Sequence, residues 1–248
     1  MGNFTLPSYP AQGYTPRARY PETELERVMI GSVNVIGSGR VGSAVAARLA
    51  ERGIEPREDA DVFLLCIPDA AIRDVARGLT PGQGSWVAHT SGATPLEALD
   101  PHEQRFGLHP LQSFTRARGA EQLDGAYAAI TSENDEAREV GFELAQLLGL
   151  EPFDLAEEDR ALYHAGAVIA ASYLATLHRV AAEIFEEVGV PVEGLRPLMQ
   201  GVVDNDFELT GPIPRGDWAT VDRHLEVIHE RTPKLEPLYR VLADATAS

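Results

Sequence analysis

Residues 33 to 42 read VNVIGSGRVG, a short apolar run that passes directly into a G-x-G-x-x-G turn built from Gly37, Gly39 and Gly42. A helical pattern follows, SAVAARLAERG from Ser43 to Gly53. Strand, glycine turn and helix in that order open a dinucleotide-binding unit. The glycines allow a tight bend, close approach of a phosphate and close helix packing, while the free N–H groups at the helix start attract the anion. The complete fingerprint also needs a second strand and an acidic residue roughly 20 positions on that holds the adenosine ribose. Here the next strand pattern, DVFLLCIPD, begins at Asp61, and only the seven residues Ile54 to Ala60 separate it from the helix. A second strand with its own crossover does not fit that gap. The sequence keeps the diphosphate end of a nucleotide site and lacks much of the adenosine end.

Further along, short apolar runs alternate with helical patterns as far as Leu155, which predicts an α/β fold with a mostly parallel, doubly wound sheet covered on both faces. Six strands are expected: Val33 to Gly37, Val62 to Ile67, Ser85 to His89, Phe106 to His109, Tyr127 to Thr131 and Pro152 to Leu155. The best-marked helix between them runs from Asn134 to Leu148 and stops at Gly149. After Asp154 the strand signal ends and a helix of roughly 30 residues begins, about 45 Å long at 1.5 Å per residue. Asp154 and Glu157 are spaced as its capping box and Gly189 closes it. Leu162, Ala165, Ile169, Tyr173, Thr176, Val180, Ile184 and Val188 form its apolar stripe. Two more helices follow the loop TGPIPRGD, from Trp218 to Glu230 and from Pro233 to Ala245. The expected organisation is an irregular tail over residues 1–28, a dinucleotide-binding domain over 29–154, and an all-helical domain over 155–248 that binds substrate and forms a homodimer.

The composition narrows the function. The 248 residues carry 38 acidic against 21 basic side chains, a formal charge of -17, and Lys234 is the single lysine. Such a surface repels nucleic acid and anionic lipid, so neither is expected as a partner. Cys66 is the only cysteine, which excludes an internal disulfide and a cysteine zinc site. The scattered histidines show no metal-ligand spacing, so no metal is expected. No run approaches the roughly 18 apolar residues of a membrane span, and the amino terminus has no signal-peptide order; a cytoplasmic protein without a membrane partner is the expectation.

Ligands of such sheets bind beyond the carboxyl ends of the strands, so the residues just after each strand are the candidates. The cofactor set is Gly37, Ser38, Gly39, Arg40, Val41 and Gly42 in the first turn, with Pro68 and Asp69 after the second strand. Arg40 either contacts a phosphate, favouring NADP, or is solvated. HTSGAT supplies Ser91, and LHPLQSF supplies His109; a hydroxyl and an imidazole at adjacent strand ends can share one substrate oxygen and pass it a proton. His89 reads as either a functional group or a strand-end histidine bonded to backbone. Tyr163, His164 and Ser172 interrupt the apolar surface of the long helix. His164 reads as a pocket residue or a core histidine. In TGPIPRGD, Arg215 suits a bidentate carboxylate contact beside Thr210 and Asp217; in the competing reading Asp217 caps the following helix and Arg215 pairs with it. No G-x-S-x-G elbow is present to present Ser91 as a hydrolase nucleophile.

The combination GSGRVGSA, DVFLLCIPD, HTSGA, HPLQSF, YHAGAVIAASYL and LTGPIPRGDWATVDRH resembles a family of bacterial Rossmann-like proteins with a C-terminal helical domain of unknown function. These are distant relatives of 6-phosphogluconate dehydrogenase and pyrroline-5-carboxylate reductase. The resemblance covers about Ser32 to Ala245 and implies an NAD(P)-dependent oxidoreductase acting on a small substrate, with a hydroxy or oxo acid as the expected class. A second similarity, to prephenate-type dehydrogenases, implies that Ser91 and His109 bind the reacting oxygen, His109 acts as acid or base, His164 lines the pocket, and Arg215 holds a substrate carboxylate. Two departures stand out: Ser172 occupies a position where the family usually has asparagine, and the helix lacks the lysine of β-hydroxyacid dehydrogenases. The alternative is a ligand-binding or regulatory protein that keeps the fold without productive cofactor binding.

Overall fold

The computed structural model describes residues 30–247; the tail expected over residues 1–28 lies outside them. Those residues fall into two compact units, one ending at Ser172 and one beginning at Tyr173.

The first unit holds a six-stranded sheet made of β1 (Val33–Ile36), β2 (Val62–Leu65), β3 (Trp86–His89), β4 (Arg105–Pro110), β5 (Tyr127–Ser132) and β6 (Glu151–Asp154). Their spatial order is their sequence order, so among the described residues β1 is an edge strand. The six strands match the sequence reading to within two residues. All pairs are parallel except β4 and β5, which run antiparallel with Gly107 opposite Thr131 and His109 opposite Ala129.

The helices of this unit are α1 (Arg40–Glu51), α2 (Asp69–Gly78), α3 (Asp135–Leu147) and α4 (Arg160–Val168). Alternation along the strands divides the core in two. Val62, Leu64, Trp86, Ala88, Phe106 and Leu108 face α1 and α3, whereas Phe63, Leu65 and Val87 face α2 and the 3-10 turn Leu96–Leu99. The first face is fastened by Arg48 in the last turn of α1, whose buried guanidinium reaches Asp124 at 2.6 Å and the carbonyl of Ala120 at 3.0 Å. Asn134 caps α3 by accepting the Ala137 N–H at 2.8 Å.

The placement of α1 has a topological consequence. The links β1 to β2 and β2 to β3 join parallel strands and step in the same direction, yet α1 and α2 lie on opposite faces. Two such crossovers have opposite hands. The link through α3 runs between strands of reversed direction on the opposite face, which gives it the same hand as the α2 link. The α1 crossover is therefore the left-handed one, against a preference of about 98% for the right-handed form.

After β6 the chain is helical from Glu157 to Glu187. The capping box expected at its start does not form, because both side chains are engaged elsewhere: Asp154 takes Arg138 through both oxygens at 2.6 and 2.9 Å, and Glu157 accepts the Leu96 N–H at 3.0 Å. Within the first unit the face turned to the sheet is Arg160, Tyr163, His164, Ala167 and Val168, at helical spacing. The expected apolar stripe points outward, with Leu162 77% and Ile169 60% exposed. By length and composition this helix is apolar enough to cross a membrane, with mean hydropathy 1.3 over 18 residues, which corrects the reading that no such stretch exists. That reading counted unbroken apolar runs, and this window tolerates a few polar positions. A π-helical turn, Ile169–Tyr173, interrupts the α-helix where the two compact units divide.

The second unit is all helical: α5 (Leu174–Glu187), α6 (Leu195–Asp204), α7 (Trp218–Arg231) and α8 (Glu236–Ala247). Gly189, at φ 70°, ends α5 as expected. Leu195, Val221 and Ala243 are the hydrophobic side chains buried in it among the described residues.

Candidate functional site

The strands β1 to β4 all end on one edge of the sheet, which collects the glycine turn, Pro68 and Asp69, the Ser91 loop and His109. Each glycine of the first turn has its own reason. A Cβ on Gly37, at φ 118°, would stand 2.3 Å from the Cys66 carbonyl oxygen, and one on Gly42 would stand 2.1 Å from the Gly37 carbonyl oxygen. Those two glycines let α1 pack on β1 and β2. Gly39 differs: its φ of -71° is open to any residue, and a Cβ there would meet nothing nearer than the Cys66 oxygen at 4.0 Å. Internal packing does not require glycine at 39, whereas close approach of a ligand backbone to the start of α1 does. The diphosphate end of a pyridine nucleotide therefore fits this turn. Ser38, Gly39 and Arg40 are exposed around it, Val41 is half-buried, and the Arg40 guanidinium lies 3.5 Å from the Phe114 carbonyl. Cys66 beneath the turn is buried, and burial pushes its thiol up to about 12, so it packs as an inert apolar group.

The adenosine end does not fit. Among the described residues no strand lies outside β1, and the side chain of Asn34 donates instead to the carbonyl of Arg57 in the returning segment at 3.2 Å. Asp61 is engaged at the base of the sheet, where one carboxylate oxygen accepts the N–H groups of Gly31 and Ser32, both at 2.9 Å.

His109 is the centre of the polar cluster. Its Nδ1 lies 2.8 Å from the Tyr163 hydroxyl, and its ring stands edge-on to His164 with centroids 5.8 Å apart. Gly92 makes room for both imidazoles, since a Cβ there would stand 2.6 Å from His164 Cδ2 and 2.9 Å from His109 Nε2. Burial, helped by the neighbouring His164 and Arg160, pushes the His109 imidazole down to about 4; burial pushes the Tyr163 phenol up to about 12. Both groups are neutral near pH 7. A neutral imidazole held at Nδ1 by a hydroxyl presents Nε2 as a donor in one tautomer and an acceptor in the other.

Ser91 corrects an expectation. Its hydroxyl is 2.8 Å from an Asp69 carboxylate oxygen and 2.9 Å from the Thr94 hydroxyl, and it accepts the N–H groups of Ala93 at 3.2 Å and Thr94 at 2.9 Å. One proton and two lone pairs are thereby used, so Ser91 shapes the turn that carries Gly92 and has no capacity left for a substrate oxygen. Asp69, at the first turn of α2, is its partner.

Arg160 and Tyr163 are the two residues missed by the site reading. Arg160 is 2% exposed. Its guanidinium donates to the Thr131 hydroxyl at 2.8 Å and to the Ser91 carbonyl at 2.5 Å, and the nearest carboxylate oxygen, on Glu157, is 4.0 Å away. Gly107 of β4 accommodates it: a Cβ there would stand 2.7 Å from its Nη1. Burial lowers the Arg160 pKa, but an arginine stays charged, which leaves a buried cation, with Glu157 as its ion-pair partner at 4.0 Å, under the histidine cluster. His89, fully buried, is pushed down to about 4 by burial first and Arg160 second, so it is a neutral core group. The signal for Arg160 and Tyr163 was helical spacing, with Tyr163 three and His164 four positions after Arg160, a second stripe beside the apolar one.

Ser172 is exposed at the π-helical turn. Thr210, Arg215 and Asp217 belong to the other compact unit. Thr210 and Arg215 are exposed, and Asp217 caps α7, accepting the Thr220 N–H at 3.2 Å and the Thr220 hydroxyl at 2.8 Å. The competing helix-cap reading of Asp217 is the one realised.

Comparison with known proteins follows this geometry. The model of a domain of unknown function (DUF2520) matches residues 126–246, just under half of the chain. No curated protein matches it. Among solved structures the chain is similar to a candidate NADP oxidoreductase from Bacteroides fragilis, with 19% identity and a TM-score of 0.77 over 88% of this chain and 99% of that one. The chain has the fold of an oxidoreductase. It is also similar to protein TM1727 from Thermotoga maritima, at 22% identity and TM-score 0.70 over 87% of this chain and 98% of that one. A third is 1-pyrroline-5-carboxylate reductase from Streptococcus pyogenes, at 14% identity and TM-score 0.57 over 87% and 98%. At these identities the likeness is one of fold, a Rossmann-like sheet followed by a helical region.

Proposed function

We propose that this chain is an NAD(P)-dependent oxidoreductase acting on a small oxo or hydroxy acid, with His109 and Tyr163 handling the proton. The observation that carries this reading is the 2.8 Å contact between the His109 Nδ1 and the Tyr163 hydroxyl, on the same strand-end edge of the sheet as the glycine turn. A pyridine nucleotide held by Gly39 and the start of α1 supplies or accepts a hydride. The residues do the rest. When the phenol donates to Nδ1, Nε2 carries a proton and can give it to a carbonyl oxygen being reduced as the phenol proton moves to Nδ1, leaving a neutral imidazole and a phenolate. When Nδ1–H donates to the phenol oxygen, Nε2 can take the proton of an alcohol being oxidised. The Arg160 cation beneath favours an anionic substrate, and His164 closes the opposite side of the imidazole.

We further propose a homodimer. Leu162, Ile169 and Tyr173 stand exposed along one helix, and the second unit buries few side chains of its own, so a second copy is the natural cover for these faces. Sedimentation equilibrium should give twice the chain mass, and Leu162→Glu with Ile169→Glu should give one chain mass.

The test of function is a titration with NADH and NADPH, followed by a screen of oxo acids read by loss of nicotinamide absorbance. His109→Asn should keep nucleotide binding and lose turnover by about a hundredfold or more. Unchanged turnover removes His109 from the reaction, and absence of nucleotide binding at millimolar concentration leaves a non-catalytic binding protein as the better reading.

A further inference from the structure

Building on the proposed cofactor site, we infer that it grips a pyridine nucleotide by the diphosphate and nicotinamide ribose alone and leaves the adenosine in solvent. Four observations carry this. Nucleotide folds of this type bind their ligand in the crevice between strands that diverge on either side of β1, and here β1 is the sheet edge. The returning segment runs along that edge, with Ile54 packed on the core and the Arg57 carbonyl bonded to Asn34, so the place of the missing strand is partly filled by backbone. Three acidic residues, Glu58, Asp59 and Asp61, lie at about the right distance to take a ribose; Asp61 is already hydrogen-bonded to the Gly31 and Ser32 N–H groups and to the Ser32 hydroxyl, and Glu58 and Asp59 stand in an exposed turn of the returning segment rather than at the end of a strand. The diphosphate turn, by contrast, is intact, and Gly39 has no packing reason to be glycine.

A site of this kind has no means of reading the adenosine 2′ position, so it does not choose between NADH and NADPH. The recognition that remains lies along the strand-end edge that carries the start of α1 and the His109 loop.

Calorimetry on the full chain tests this with four probes: NADH, NADPH, reduced nicotinamide mononucleotide, and adenosine 5′-monophosphate. NADH and NADPH should agree within about threefold, the mononucleotide should bind within about thirtyfold of NADH, and adenosine monophosphate at 10 mM (roughly tenfold above a millimolar site) should not displace NADH. A preference of tenfold or more between NADH and NADPH overturns the inference, as does displacement by adenosine monophosphate below 1 mM, on the order of −4 kcal/mol of binding. Either of those results would leave the oxidoreductase reading standing. Failure of NADH, NADPH and the mononucleotide alike would overturn both.

Discussion

Replacing Gly39 by aspartate separates what this turn does for the fold from what it does for a ligand, because the two effects have opposite signs. Gly39 is the N-cap of α1, with extended ψ of -170° and no side chain to cap the free N–H groups. No acidic residue lies in the first turn of α1, and a Cβ at position 39 meets nothing within 4.0 Å. Aspartate is a favoured N-cap, better than glycine by a few tenths of a kcal/mol, and a negative charge at a helix start adds about 0.3–1 kcal/mol. The sum, about 0.5–1 kcal/mol, should raise the melting temperature by roughly 1–4 °C for a chain of this size. The same carboxylate would face the diphosphate. Two like charges about 4 Å apart repel by about 4 kcal/mol at an effective dielectric of 20. Discounted by half for solvent at an exposed turn, about 2 kcal/mol remains, a loss of about thirtyfold in affinity. Thermal unfolding and calorimetric titration with NADH on the same preparation measure both. A Gly39→Asp protein that binds NADH within threefold of the parent refutes diphosphate binding at α1, and one that melts below the parent refutes the cap geometry.

Three further outcomes follow from the site. Tyr163→Phe removes the hydroxyl held 2.8 Å from His109 Nδ1, and turnover should fall by about ten- to a hundredfold with nucleotide affinity unchanged; equal turnover would mean the phenol only packs. Arg160→Met leaves the Ser91 carbonyl and Thr131 hydroxyl without their charged donor, at about 1.5–3 kcal/mol for each bond. Its melting temperature should drop by roughly 6–24 °C, and a drop under 2 °C would show the helix is held elsewhere. His89 has its folded pKa lowered to about 4 from an ordinary 6.5, so the stability it contributes is complete above pH 6.5 and is lost as pH falls through about 4. Between pH 7 and 4.5 this loss is about 2–3 kcal/mol. In His89→Leu the fall in urea-measured stability over that range should shrink by that amount, and an unchanged fall would assign the acid sensitivity to other groups.

The strands were legible because a buried strand and its glycine turn are both written locally. VNVIGSG and DVFLLCI each announce an element without reference to anything distant, and the seven residues between helix and strand were enough to exclude a missing unit. What was not legible depended on partners far along the chain. Ser91 looked like a free hydroxyl, but Asp69, 22 positions earlier, and the N–H groups of its own turn claim it. The long helix misled more deeply: its most apolar stripe is the intuitive sheet-facing side, yet Arg160, Tyr163 and His164 face the sheet. Gly107 and Gly92 make the space for them, and a glycine midway along a strand or in the loop after one gives no hint of which side chain will use the room.

The left-handed crossover through α1 explains how one end of a nucleotide site can persist without the other. In a doubly wound sheet of order 3-2-1-4, right-handed connections place the helix after strand 1 on one face and the helix leading into strand 4 on the other. Taking away strands 2 and 3 while leaving that first helix where it was makes the chain step directly from strand 1 to its other neighbour, and the connection becomes left-handed. That is the arrangement here, with α1 on the α3 face and α2 opposite. The helix cannot readily change face, because Arg48 is buried and tied to Asp124 and to the carbonyls of Ala120 and Leu148, all on that side. Breaking those ties would leave a buried charge unpaired, at about 3–5 kcal/mol. The position of α1, and with it the anion-attracting start at Gly39, is thus fixed by contacts that owe nothing to the adenosine side. His109 and Tyr163 depend on neither, since they are held by β4 and α4 through Gly107, Thr131 and Arg160. The start of α1 and the His109–Tyr163 pair are thus separately supported parts of this fold, and neither depends on a strand beyond β1.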